Sequence, residues 1–157
     1  MTGFFRLGRA RVGLLALALL ASGGCTKSAV QPEYPEKVTF AASLGIDLAV
    51  MTKTTSGVYY LIRSPGTEGR VDGASRVTGE FKGWLADGTQ VGAGHMSAQN
   101  VIELIEGLRK GMTGMQKGEV RLIVIPSTLG YGAVPPPELG IPRNSVLVYE
   151  ITVTDFI

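Results

Sequence analysis

The sequence predicts an α+β domain of about five antiparallel strands wrapped on one short helix. Three observations carry that reading. Arg76 to Leu85 alternates apolar and polar residues and runs into Asp87-Gly88, a strong hairpin signal. Two β-rich runs, Leu122 to Ile125 and Val146 to Phe156, flank a long loop that holds Gly130-Tyr131-Gly132, Pro135 to Pro137 and Ile141-Pro142. A stripe of Val101, Leu104, Ile105, Leu108 and Met112 keeps helical spacing. The 22 glycines follow no period, which fits many turns and bulges and excludes a collagen-like chain.

Taken in order, the chain opens on an export signal. Arg6, Arg9 and Arg11 form a basic n-region and Val12 to Leu20 an apolar segment. That segment is too short to cross a bilayer, which takes about 20 apolar residues. Ala21 to Gly24 are small and precede Cys25, so residues 1–24 resemble a lipoprotein signal and Cys25 the lipidated N-terminus. With one cysteine in the chain, an internal disulfide is excluded. Removing residues 1–24 takes three of the 15 Lys and Arg and none of the 13 Asp and Glu, leaving a formal charge of −1 before the histidine. No basic patch then remains to argue for nucleic acid.

Thr26 to Val38 reads as a polar spacer and Phe40 to Met51 as a short amphipathic lead-in helix, with Phe40, Leu44, Leu48 and Met51 at helical spacing. Val58 to Arg63 is a strand. In the next strand Val77, Gly79, Phe81 and Gly83 share the inward face. Gly92 to Gln99 is small and polar and reads as loop. Asn100 with Glu103 matches a capping box, which would start the helix at Asn100. Gly107, Gly111 and Gly114 weaken that helix by about 1 kcal/mol each relative to Ala, so it must rely on packing. Val120 to Ile125 is a strand, and in the last strand Leu147, Tyr149, Ile151 and Val153 share a face. Trp84 falls out of phase with Phe81, and His95 reads as a solvated loop residue. A single His and a single Cys offer no metal-ligand spacing.

From Ser56 onward the motifs occur in an order that resembles one family. Ser56-Gly-Val-Tyr-Tyr60, Leu85-Ala-Asp-Gly88, Leu104-Ile-Glu-Gly107, Gly111-Met-Thr-Gly-Met115, Leu122 to Gly132, Ile141-Pro142 and Val146-Leu-Val-Tyr-Glu150 are similar to an FKBP-type peptidyl-prolyl cis-trans isomerase, here in a bacterial lipoprotein form. The resemblance implies a five- to six-stranded antiparallel half-barrel around a short helix, with a ligand pocket between them. It divides the chain into a signal peptide (1–24), an anchor spacer with the lead-in (25–55) and an isomerase domain (56–157). It also starts the helix near Glu106, not Asn100. The difference matters, because only a later start frees the Ile105 N–H from helical bonding.

Such a pocket needs no nucleophile. Amide resonance sets a barrier of roughly 18–20 kcal/mol to rotation of an X–Pro bond, and a site that binds the twisted amide better than the planar one lowers it. The resemblance assigns catalytic roles to Tyr131 through its hydroxyl, to Ile105 through its N–H, and to Phe81 and Leu108 as walls. Val91, Leu104, Ile141 and Tyr149 are assigned to substrate binding. Five positions depart from the family's pattern: Leu108 replaces a Trp, Val91-Gly92 replaces Phe-Asp, Phe81 replaces a Tyr and Tyr149 a Phe. An aromatic expected within Gly94 to Gln99 is also missing. Losing the Trp wall removes about 100 Å² of apolar surface, or about 2.5 kcal/mol. The rate falls a few-fold if a third of that favours the twisted amide, and nearly a hundred-fold if all of it does.

The expected function is therefore reduced-rate isomerisation that helps exported proteins fold. The alternatives are a non-catalytic chaperone or proline-peptide binding module on the envelope, and an envelope lipoprotein with a vestigial pocket. The implied partners are proline-containing unfolded or exported polypeptides, weakened macrolide binding, and the membrane through the anchor. Neither cofactor nor metal nor nucleic acid is implied. Thr26 after Cys25 points to the outer membrane, facing the periplasm.

Overall fold

A computed structural model describes residues 31–157, so the expected signal peptide and Cys25 lie outside the described residues. Six antiparallel strands form one sheet: β1 (Thr52–Lys53), β2 (Tyr59–Ser64), β3 (Arg76–Leu85), β4 (Gln90–Asn100), β5 (Val120–Ile125) and β6 (Leu147–Phe156), in the spatial order β1-β2-β5-β6-β3-β4. Among the described residues one α-helix, α1 (Glu106–Met112), packs on one face. Alternation sorts the side chains. Ile123 and Ile125 on β5 join Leu147, Tyr149, Ile151 and Val153 on β6 in the core under α1. Leu122, Val124 and Val148 point to a second core on the other face. Burial on both faces is why Leu122 to Ile125 reads as an unbroken apolar run.

The second core corrects the reading of the N-terminal stretch. Phe40 to Met51 does not form an amphipathic helix. It holds a 3₁₀ turn at Ala42–Leu44 that ends at left-handed Gly45, and Leu44 and Met51 are buried against Tyr59, Leu122 and Val148, with Trp84 packed alongside. The helical spacing was real, but a loop pressed on the sheet uses it.

One further expectation changes, and the open choice of helix start, Asn100 or near Glu106, falls to the second. Gly92 to Gln99 is not loop but most of β4, paired with β3 from Gly83↔Gly92 to Val77↔Gln99. The helix does not begin at Asn100, because β4 runs through that residue. The Asn100 amide instead bonds the Glu103 carboxylate at 2.8 Å. A 3₁₀ turn at Val101–Glu103 follows, Leu104 and Ile105 are extended (ψ 159° and 148°), and α1 starts at Glu106.

The glycines of α1 are contact residues. A Cβ on Gly107 would lie 2.1 Å from Ile125 Cγ2, and one on Gly111 would lie 2.4 Å from Ile123 Cγ2. The helix gives up propensity to lie close against β5. Its C-terminus is held by Arg121, whose Nη1 donates to the carbonyls of Gly111 (2.8 Å) and Thr113 (3.2 Å). Arg121 Nε pairs with Glu119 at 2.6 Å, both side chains being nearly inaccessible. The guanidinium also sits 4.5 Å from the Tyr60 ring centre.

Candidate functional site

Between α1 and the inner face of β3, β4 and β6 lies an open cleft of about 230 Å³. The helix and its approach contribute Leu104, Leu108 and Met112. β3 contributes Phe81, and β6 contributes Tyr149 and Ile151. β4 supplies His95, Met96, Ser97 and Gln99, and the loop after β5 supplies Tyr131. The lining is mostly apolar, and among the described residues it contains no carboxylate. Among the described residues, no three His, Cys, Asp or Glu side chains come together as a metal site.

Close backbone approach shapes the walls. Phe81 faces Gly94 across the β3–β4 ladder, and a Cβ on Gly94 would lie 3.2 Å from its ring. The Tyr149 ring lies over Gly83, where a Cβ would come within 2.6 Å. Larger side chains at these glycines would push both rings out of place. Burial, and after it the neighbouring Tyr131 phenol, hold the Tyr149 hydroxyl above the ordinary tyrosine value. It therefore remains a protonated donor at neutral pH.

The structure brings Phe81, Leu104, Leu108, Tyr131 and Tyr149 together around this cleft. It does not bring Val91, Ile105 or Ile141 into the lining; all three belong to the core that includes its walls. Ile105 keeps one feature of its expected role. The Leu104 N–H is taken by Val101 O, but no acceptor among the described residues takes the Ile105 N–H, because Ile105 precedes α1.

Sequence reasoning missed the β4 lining residues His95, Met96, Ser97 and Gln99. Their low apolarity hid the strand. The available signal was the hairpin: a ten-residue β3 turning at Asp87-Gly88 needs a partner of similar length. Met112 and Ile151 had been placed in the core and also line the cleft.

Comparison with known proteins agrees with this geometry. The family model for FKBP-type peptidyl-prolyl cis-trans isomerase matches residues 68–154. The chain is 30% identical over 110 residues to the FKBP-type isomerase FkpA of Buchnera aphidicola (subsp. Acyrthosiphon pisum), covering 67% of this chain and 44% of that protein. It is 33% identical over 81 residues to an FK506-binding protein of Neisseria meningitidis, covering 48% and 73% of the two chains. Among solved structures, FkpA from Escherichia coli superposes with a TM-score of 0.61 at 26% identity, covering 68% of this chain and 51% of that one. A peptidyl-prolyl isomerase from Pseudomonas syringae gives 0.62 at 27%, covering 68% and 80%. The chain thus spans less than half the length of the Buchnera FkpA relatives it matches. With the six-stranded sheet, the short helix and the cleft between them all in place, the chain belongs to the FKBP-type peptidyl-prolyl cis-trans isomerase family.

Proposed function

We propose that this protein is a peptidyl-prolyl cis-trans isomerase acting on proline-containing segments of exported polypeptides. The observation that carries the reading is the open cleft. An apolar cup has Tyr131 in its lining, and the side chains of the described residues do not fill it. A prolyl ring enters between Phe81, Leu108 and Tyr149. The Tyr131 hydroxyl donates to a substrate carbonyl, and the free Ile105 N–H is the second donor. Val91, Leu104 and Ile141 complete or back the walls. Exclusion of water and better binding of the twisted amide do the rest. The absence of a carboxylate and of a Trp at Leu108 supports a modest turnover.

The test is a proline-peptide isomerisation assay on residues 26–157. A rate above buffer that falls several-fold in Tyr131→Phe is expected, and a rate equal to buffer in both rejects the reading. The carboxylate-free lining also favours a second reading, a binding module without turnover. Suppression of client aggregation with no isomerase rate would select it. Weak macrolide binding follows from either.

We place the protein at the cell envelope, held by a lipid on Cys25 and facing the periplasm from the outer membrane. The signal-like residues 1–24 support this. Radioactive fatty-acid labelling that disappears in Cys25→Ser is the expected result.

A further inference from the structure

The loop that carries Tyr131 is tied to a segment distant in sequence. Ser127, fully buried, stands four residues before Tyr131. Its N–H donates to Glu33 O at 3.0 Å, and its Oγ accepts the Glu33 N–H at 2.9 Å. Its carbonyl accepts the N–H groups of Gly130 (3.1 Å) and Gly132 (3.0 Å), the two neighbours of Tyr131. The Gly132 carbonyl in turn accepts the Asn144 N–H at 2.7 Å. One residue therefore joins the N-terminal segment to both sides of the tyrosine.

The segment is itself pinned. Pro35 is buried in a 3₁₀ turn. Glu36 accepts from the Tyr59 hydroxyl at 2.6 Å and from Lys53 at 2.5 Å. Four residues beyond Lys37, the Ala41 N–H donates to Ala86 O at 2.8 Å, so the chain lies across the end of the β3–β4 hairpin. A polar, proline-bearing stretch has no reason to hold one path without such bonds. The two-bond lock with Glu33 fixes the start of the Tyr131 loop, two residues after β5, from outside the sheet.

We propose that Ser127 is a positioning residue, and Glu33 to Glu36 a strap, that together hold Tyr131 at the rim of the cleft. The catalytic part of this statement rests on the isomerase reading above; the placement of the loop does not. Ser127 touches no substrate. It acts through the backbone of Gly130 and Gly132, and misplacement of a reacting group by about 1 Å is enough to cost rate.

The test pairs two variants at opposite ends of the lock. Ser127→Ala removes the Oγ acceptor, and Glu33→Pro removes the N–H that it takes. Exposed Thr128→Ala is the control. Each lock variant is expected to lower kcat about five-fold with KM within two-fold of wild type. The Gly130 and Gly132 amides should exchange about ten-fold faster, with β5 and β6 unchanged. The double variant should be no worse than either single one. In the Ser127→Ala background, Tyr131→Phe should cost little further.

Unchanged exchange at Gly130 and Gly132 overturns the proposal. So does a full additional loss on Tyr131→Phe in that background. If one lock variant fails to fold, the other gives the same reading. A wild-type rate equal to buffer rejects the isomerase reading alone, and the exchange comparison still decides the strap.

Discussion

Leu108 and Met112, one turn apart on α1, line the helix side of the cleft where the family has its tryptophan at the first position. Restoring that wall should matter in proportion to the area it offers the twisted amide. If about a third of 2.5 kcal/mol is specific to the twisted form, Leu108→Trp raises kcat/KM about four-fold; a coupled isomerisation assay reads this directly. Leu104, Tyr131 and Tyr149 could be named from motifs, because each sits in a short signature with fixed neighbours; Phe81 and Leu108 were named only by their position between those signatures. Ile141 carries the same motif support, yet like Val91 it belongs to the core and does not line the cleft. A motif places a residue near a site, and its exposure to the site depends on which way the strand or loop presents it. His95, Ser97 and Gln99 had no motif, and only strand pairing brought them to the rim.

At the scale of the element, α1 lies so close to β5 that a propensity argument gives the wrong sign. Gly111→Ala gains about 1 kcal/mol of helix propensity, but its Cβ would sit 2.4 Å from Ile123 Cγ2. Overpacking costs about 1–3 kcal/mol, so urea denaturation should show net destabilisation of about 1 kcal/mol. Arg121 and Glu119 form the other control on this helix. Arg121→Ala leaves a buried carboxylate and two helix-end carbonyls without their cation and should cost about 3–5 kcal/mol, whereas replacing both partners by apolar residues should cost much less. Chemical denaturation of the single and paired variants separates these outcomes. Local patterning put the helix start at Asn100, and the capping-box residues do meet, but as side chain on side chain. The ladder to Arg76 holds Asn100 extended, and a ladder outweighs a cap.

Across the whole molecule, the N-terminal stretch expected as a spacer is tied to Ser127 at Glu33, and the chain packs on the second face of the sheet from Val38 onward. Its Glu36 carboxyl, bonded first by Lys53 and then by Tyr59, is pulled down to about 2 from 4.5. A lowered folded-state value means that its contribution is present above about pH 4.5 and is lost as the pH falls toward 2. The gap in melting temperature between wild type and Glu36→Gln should therefore be present at pH 6 and shrink by pH 3. It should be small throughout, since the pair is half exposed. By itself the sequence determined the fold class, the strands β3, β5 and β6, the hairpin and the family, because period-two alternation, turn chemistry and motif order are local properties of the chain. Only the tertiary structure decided where α1 begins, that β4 is a strand, and that residues from Glu33 onward brace the Tyr131 loop. Those outcomes depend on hydrogen bonds between residues as far apart as Glu33 and Ser127, and no window along the chain contains both partners.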